Sequence, residues 1–162
     1  MPTTEIRERK DDDLANCAGA MRLVHEVDRY PMVWPADPER WLSPRGLVAA
    51  WVAVAADLTQ CGGIVGHVVL VEDAEPQYYE LGRLFVAPSG RGQGLGEALM
   101  TRAETWAARH GRELMLEVTA ADERSPATAL YERTGWRRVS TVTAEWTASD
   151  GSPVEKHRYV RH

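Results

Sequence analysis

The residues with the clearest chemical promise are Arg91-Gly92-Gln93-Gly94-Leu95-Gly96, a glycine-rich stretch led by a cation. Before it, Tyr79 to Val86 is built of strand-forming residues, and Pro88-Ser89-Gly90 breaks the run. After it, apolar residues recur at Leu95, Ala98, Leu99, Ala103, Trp106 and Ala107, which is helical spacing. A turn between a strand and a helix start leaves several backbone N–H groups unpaired and aimed one way. The helix dipole adds partial positive charge there, so a phosphate is the expected guest. Glycines let the backbone approach it with no Cβ in the way. The plainer alternative is a tight connection with no ligand. A Walker A loop is excluded, because no lysine follows these glycines. A dinucleotide fingerprint is excluded too: its last glycine would fall on Glu97 or Leu99.

The chain that must position this loop has 162 residues, 44% hydrophobic and 27% charged, which predicts one domain, residues 1–162, around a single core. The net charge of −5 argues against non-specific nucleic-acid binding and slightly favours cationic acceptors such as amines. Cys17 and Cys61 form no C-x-x-C or zinc pattern, and two reduced thiols, buried or half-buried, are expected. No histidine–carboxylate spacing suggests a metal. No apolar run approaches membrane-spanning length and Met1-Pro2-Thr3-Thr4-Glu5 lacks a signal-peptide core, so no membrane partner is expected and the cytoplasm is the default compartment. A homodimer is compatible with all of this.

Taken in order, Thr4 to Arg9 reads as a first strand. Asp11-Asp12-Asp13 then precedes a helix with apolar positions at Leu14, Cys17, Ala18, Met21 and Val24, ending near Tyr30-Pro31. The aspartates suit capping of that helix better than a metal, since adjacent residues point in different directions. Tyr30 to Pro44 is irregular, with one short helix expected from Asp37-Pro38 and with Trp34 and Trp41 packing over the core edge or shaping a pocket. Gly46–Ala56 and Gly63–Val71 read as strands joined through Asp57–Gly62. The unit from Tyr79 to Val118 predicts a strand–helix–strand crossover, right-handed, joining parallel strands, with Gly111 as helix stop. Ser125-Pro126 opens a last helix ending at Gly135, and Val139–Trp146 with Val154–Val160 forms a closing hairpin. Trp51 and Trp106 are assigned to the core, and His110, His157 and His162 to the surface.

Two motifs in this order resemble the GNAT superfamily of N-acetyltransferases. Arg91, Gly94 and Gly96 fit the Arg-x-x-Gly-x-Gly of its acyl-CoA pyrophosphate loop. Ala127, Leu130, Tyr131, Gly135 and Trp136 fall in register with its late helix, Asn-x-x-Ala-x-x-Leu-Tyr-x-x-x-Gly-Phe/Trp. Arg124 stands where that family often has the asparagine, and Ser125 is the candidate to replace its bond to the pantetheine arm. The resemblance implies a mixed α/β fold of the GNAT acyl-CoA N-acyltransferase type, with antiparallel N-terminal strands and a sheet that splays after the central strand. It implies acetyl transfer from acetyl-CoA, as co-substrate, to a primary amine. A coenzyme-binding sensor or scaffold without turnover is the alternative class.

The roles follow from the same resemblance. Backbone groups of Leu84, Phe85 and Val86 would pair with the pantetheine amides, the Val86 N–H polarising the thioester carbonyl. Phosphate oxygens would sit on the amides of Gly92, Gln93, Gly94, Leu95, Gly96 and Glu97, with Arg91 adding charge. Glu80 is the expected base for an amine that is mostly protonated at neutral pH, the alternative being a solvated strand residue or one paired with Arg83 or another cation. Tyr131 is the expected acid for the departing thiolate, the alternative being a core tyrosine. Period-two alternation sets Glu80, Gly82, Leu84 and Val86 on one face of the strand and Tyr79, Leu81, Arg83 and Phe85 on the other, unless a bulge shifts it. His25 and Trp34, with Glu80, are the candidates to line the acceptor pocket; His67 is more simply a packed histidine.

Overall fold

The computed structural model describes residues 3–119 and 126–161, the side chains of Pro126 and Ala127 excepted. Its elements are β1 (Thr4–Glu8), α1 (Leu14–Asp28), α2 (Pro38–Trp41), β2 (Leu47–Ala55), β3 (Ile64–Glu72), β4 (Tyr78–Val86), α3 (Leu95–Arg109), β5 (Glu113–Thr119), α4 (Pro126–Arg133), β6 (Arg137–Thr147) and β7 (Pro153–Arg161). The seven strands form one sheet in the order β1-β2-β3-β4-β5-β7-β6. All neighbours are antiparallel except β4 and β5, the two strands joined through α3, which run parallel as expected of a crossover.

Helices cover the sheet on both sides, each facing it with its apolar stripe. Leu95, Leu99, Met100, Ala103 and Ala107 of α3, with Tyr131 of α4, close one cluster over Trp51, Val68, Leu70, Tyr79, Leu81, Leu84, Leu114, Leu116 and Tyr159. Cys17, Ala20, Met21 and Val24 of α1 pack with Leu42 against Val52, Ile64 and Phe85 on the other. Trp51 is core, as expected, and Trp106 is half-buried against that cluster, its ring 6.0 Å from Trp51 and 5.6 Å from Tyr79.

Two local expectations need correction. The aspartates form a single 3-10 turn, and none bonds a first-turn amide of α1. Asp13 instead accepts from the Lys10 N–H at 2.7 Å and from both Arg7 Nη atoms at 2.8 and 3.0 Å, because a guanidinium within reach offers two charge-assisted bonds. His157 lies inside, 9% exposed, with Nδ1 2.9 Å from Thr141 Oγ1. It alternates with Lys156 and Arg158 on β7 and so falls on the covered face. Along β4 the alternation is shifted partway by a bulge, as the resemblance allowed. His67 pairs with Phe85 and Val69 with Gly82, so Val68 alone faces two residues, Arg83 and Leu84. This is a bulge with Arg83 at φ 51°. It moves Leu84 into the α3 cluster beside Tyr79 and Leu81, and sends Phe85 to the α1 cluster.

Candidate active site

The glycine loop leads into α3 as the residue spacing predicts. Gly94 is the N-cap at φ 71°, and Gly92 has φ 78°. A Cβ added at either would meet nothing within 4 Å, so the loop has open space above it for a ligand. The first bond of the helix runs from the Ala98 N–H to the Gly94 carbonyl at 3.0 Å, which leaves the amides of Leu95, Gly96 and Glu97 without helical partners. Gln93 and Glu97 are exposed, whereas the Leu95 side chain anchors the loop in the core. Gly96 allows close approach of α4: a Cβ there would stand 2.9 Å from Leu130 Cδ2. Arg91 points away from the amides. Its guanidinium forms an ion pair with Asp28, the last residue of α1, and Nε donates to the Val86 carbonyl at 3.3 Å.

The β4–β5 ladder is short. It pairs Tyr78 with Glu113, Tyr79 with Leu114 and Glu80 with Met115, and stops there. Beyond Glu80 the strands diverge, so the edge of β4 from Leu81 to Val86 borders a wedge instead of a neighbouring strand. The bulge at Arg83 sits within this stretch and turns it.

Glu80 stands at the apex of the wedge, half-buried, on the face away from α3. No hydrogen bond joins its carboxylate to another described residue. Burial raises its pKa above the ordinary glutamate value, and the negative charges of Glu117 and Asp73 push the same way. Lys156 and Arg83 pull against them. The like charges arrive through the sheet. Glu117 on β5 pairs with Arg158 on β7, and Arg158 bonds Asp73 at 2.9 Å and Glu75 at 3.3 Å. Lys156 Nζ lies 2.6 Å from Glu117 Oε2, at an angle outside hydrogen-bond geometry. Beside Glu80, across Tyr78, Arg158 and Val160, the same face opens into a depression of about 290 Å³ that reaches Ser140 of β6.

Tyr131 projects from α4 into the core cluster at 6% exposure, its ring 5.9 Å from Trp136 and 6.4 Å from Tyr159. Burial, with a smaller contribution from Tyr30, pushes its phenol well above the usual tyrosine range, so it holds its proton at neutral pH. His25 and Trp34 do come together, with ring centroids 5.2 Å apart. His25 Nδ1 lies 2.8 Å from the Pro31 carbonyl and Arg22 stacks on Trp34 at 4.5 Å. Ser125 lies outside the described residues.

Three residues near the site escaped the sequence reading. Glu117 had a signal, a lone carboxylate inside the apolar run Leu114-Met115-Leu116-Glu117-Val118. Asp28 had one too, an acid at a helix C-terminus where the dipole disfavours it. Asp73 had none; Arg83 was already placed on the strand, and only its left-handed backbone carries no cue in the residue type.

A loop of unpaired amides, an open strand edge and a half-buried carboxylate on one mixed sheet define the class: an acyl-CoA-dependent acyltransferase. Comparison with known proteins agrees. The sequence model of the Acetyltransferase (GNAT) family matches residues 20–136, and the chain belongs to that family. It is an acetyl-CoA-dependent acetyltransferase. Among characterised relatives, an IAA acetyltransferase from Azospirillum brasilense is 29% identical over 117 residues, 72% of this chain and 75% of that protein. Among solved structures, Arabidopsis thaliana NAA60 in complex with a bisubstrate analogue superposes with a TM-score of 0.75 at 18% identity, covering 98% of this chain and 97% of that one. The ribosomal-protein-S18-alanine N-acetyltransferase from Escherichia coli gives 0.69 at 20% identity, over 98% and 92%. At these identities the structural likeness speaks for the fold.

Proposed function

We propose that the enzyme transfers the acetyl group to a primary amine by direct attack in a ternary complex. The observation that carries this reading is the open β4 edge ending at Glu80. Backbone groups of Leu84 to Val86 pair with the pantetheine amides as an added strand would, once Arg91 Nε leaves the Val86 carbonyl, and the Val86 N–H then meets the thioester oxygen, where negative charge grows in the transition state. Phosphates rest on the amides from Gly92 to Glu97, and Arg91 turns to them from Asp28. Glu80, with its raised pKa, takes the proton from the amine, directly or through water. The tetrahedral adduct collapses as the C–S bond breaks, and the protonated Tyr131 hydroxyl supplies a proton to the leaving thiolate. A covalent acetyl-enzyme is disfavoured by the cysteines: burial pushes the Cys17 thiol up to about 12, leaving no thiolate at neutral pH.

A thiol-release assay over a panel of primary amines tests this. At least one amine should turn over with intersecting initial-rate lines, and Glu80→Gln should lower kcat by about 10²- to 10³-fold. Parallel lines, or full activity in both Glu80→Gln and Tyr131→Phe, would overturn the assignment.

A further inference from the structure

His67 is fully buried and takes no part in the chemistry proposed above, yet one of its ring nitrogens meets the residue that breaks β4. Its Nδ1 lies 2.8 Å from the carbonyl oxygen of Arg83, the bulge residue at φ 51°. Its Nε2 lies 2.9 Å from Arg9 Nη1, which also donates to the Leu42 carbonyl at 2.7 Å. Its ring stacks on Phe85 at 5.2 Å with an interplanar angle of 15°. A guanidinium can only donate, so Nε2 must accept and the ring proton must sit on Nδ1, where it bonds the Arg83 carbonyl. Burial holds the ring neutral by lowering its pKa to about 3. The Arg83 side chain is fixed in turn: it lies 3.8 Å over the Trp41 ring, and Nε donates to the Trp41 carbonyl at 3.1 Å.

A non-glycine residue in the left-handed region persists only where its surroundings over-determine it. Here the surroundings are Arg9 from the end of β1, His67 from β3, and Trp41 from α2. We infer that His67 is a positioning residue that pins the bulge carbonyl, and through it sets the backbone of Leu84 to Val86 in the register that receives the pantetheine arm. The inference rests on the pantetheine pairing proposed above. Arg9 selects the tautomer, His67 passes that choice to the strand, and neither touches the coenzyme.

The test compares two probes by calorimetry: coenzyme A, and adenosine 3′,5′-bisphosphate, which lacks the pantetheine. The wild type should bind coenzyme A at least tenfold more tightly than the bisphosphate. His67→Phe, which keeps the stacking and loses both ring nitrogens, should weaken coenzyme A by roughly fivefold, the worth of one net hydrogen bond, and leave the bisphosphate within about twofold. His67→Asn, which offers an N–H near the Nδ1 position, should recover most of the loss. Equal weakening of both probes would mean a general structural role and overturn the inference, as would wild-type affinity in His67→Phe. A wild type that gains nothing from the pantetheine would overturn the pairing itself, an outcome read without any variant. Should His67→Phe fail to fold, ¹⁵N NMR of the wild-type imidazole decides: a neutral ring protonated at Nδ1 supports the inference, and one protonated at Nε2 or at both nitrogens overturns it.

Discussion

Glu80 shows how neighbours retune a carboxylate. Burial and the charges of Glu117 and Asp73 favour its protonated form, so its folded-state pKa stands above the unfolded value of about 4.3. Activity that needs the carboxylate should rise with pH along an acid limb centred above that value. Glu117→Gln removes one of the raising charges and should move the limb down, whereas Lys156→Ala removes a lowering charge and should move it up; kcat/KM profiles check both. The linkage sign gives a stability counterpart. A carboxyl whose pKa is raised on folding helps the fold at low pH and costs stability once pH passes the folded value, so inactive Glu80→Gln should be more stable than its parent near pH 7. Asp13 has the opposite sign, since its bonds to Arg7 hold its pKa below the usual range. Asp13→Asn should lose about 1–2 kcal/mol near neutral pH, a loss that fades as pH falls through the folded value of the parent; urea unfolding at several pH values measures it. Glu80 could be found from strand periodicity and family register alone. The charges around it could not, because Glu117, Arg158 and Asp73 meet only through the pairing of β5 with β7 and the turn after β3.

At the scale of elements, the glycine loop and α3 were legible because punctuation and helical spacing agree there on one boundary. The same holds for the ends of α4 and the single turn of α2, where Asp37 Oδ1 accepts from the Arg40 N–H at 3.2 Å. Two features were not legible. The place of the β4 bulge, which the resemblance allowed for, is set at Arg83 by the tertiary partners Arg9, His67 and Trp41, and the Gly82 before it does not fix the position alone. The insertion of β7 between β5 and β6 is a matter of which hairpin strand buries more, and Val142, Trp146, Val154 and Val160 give both strands similar apolar content. The N-cap position carries its own prediction. Gly94→Ala meets no steric neighbour, but must hold φ 71°. It should cost about 1 kcal/mol of stability and weaken coenzyme A in calorimetry by tilting the amides that follow.

For the whole molecule, the sheet divides labour between its faces. One is sealed by α3 and α4 and carries the larger core, and the other is covered by α1 and α2 over β2 to β4 but left open beyond Glu80. On the proposed reading the co-substrate wedges between β4 and β5, a site that only the folded chain has. Acetyl-CoA at 100 times its Kd should therefore add about 2.7 kcal/mol to the unfolding free energy, seen as a concentration-dependent rise in Tm.

The contact between Arg91 and Asp28 ties the mouth for the thioester donor to the helix that leads into Tyr30, Trp34 and the nucleophile's side of the sheet. If Arg91 turns to the diphosphate as proposed, a diphosphate and an aspartate compete for one guanidinium, and occupying the first seat loosens the end of α1. On the proposed reading the turnover cycle is ordered: donor enters before nucleophile, and free coenzyme leaves last. Dead-end inhibition should reveal a compulsory order in the parent enzyme that Asp28→Asn relaxes to random.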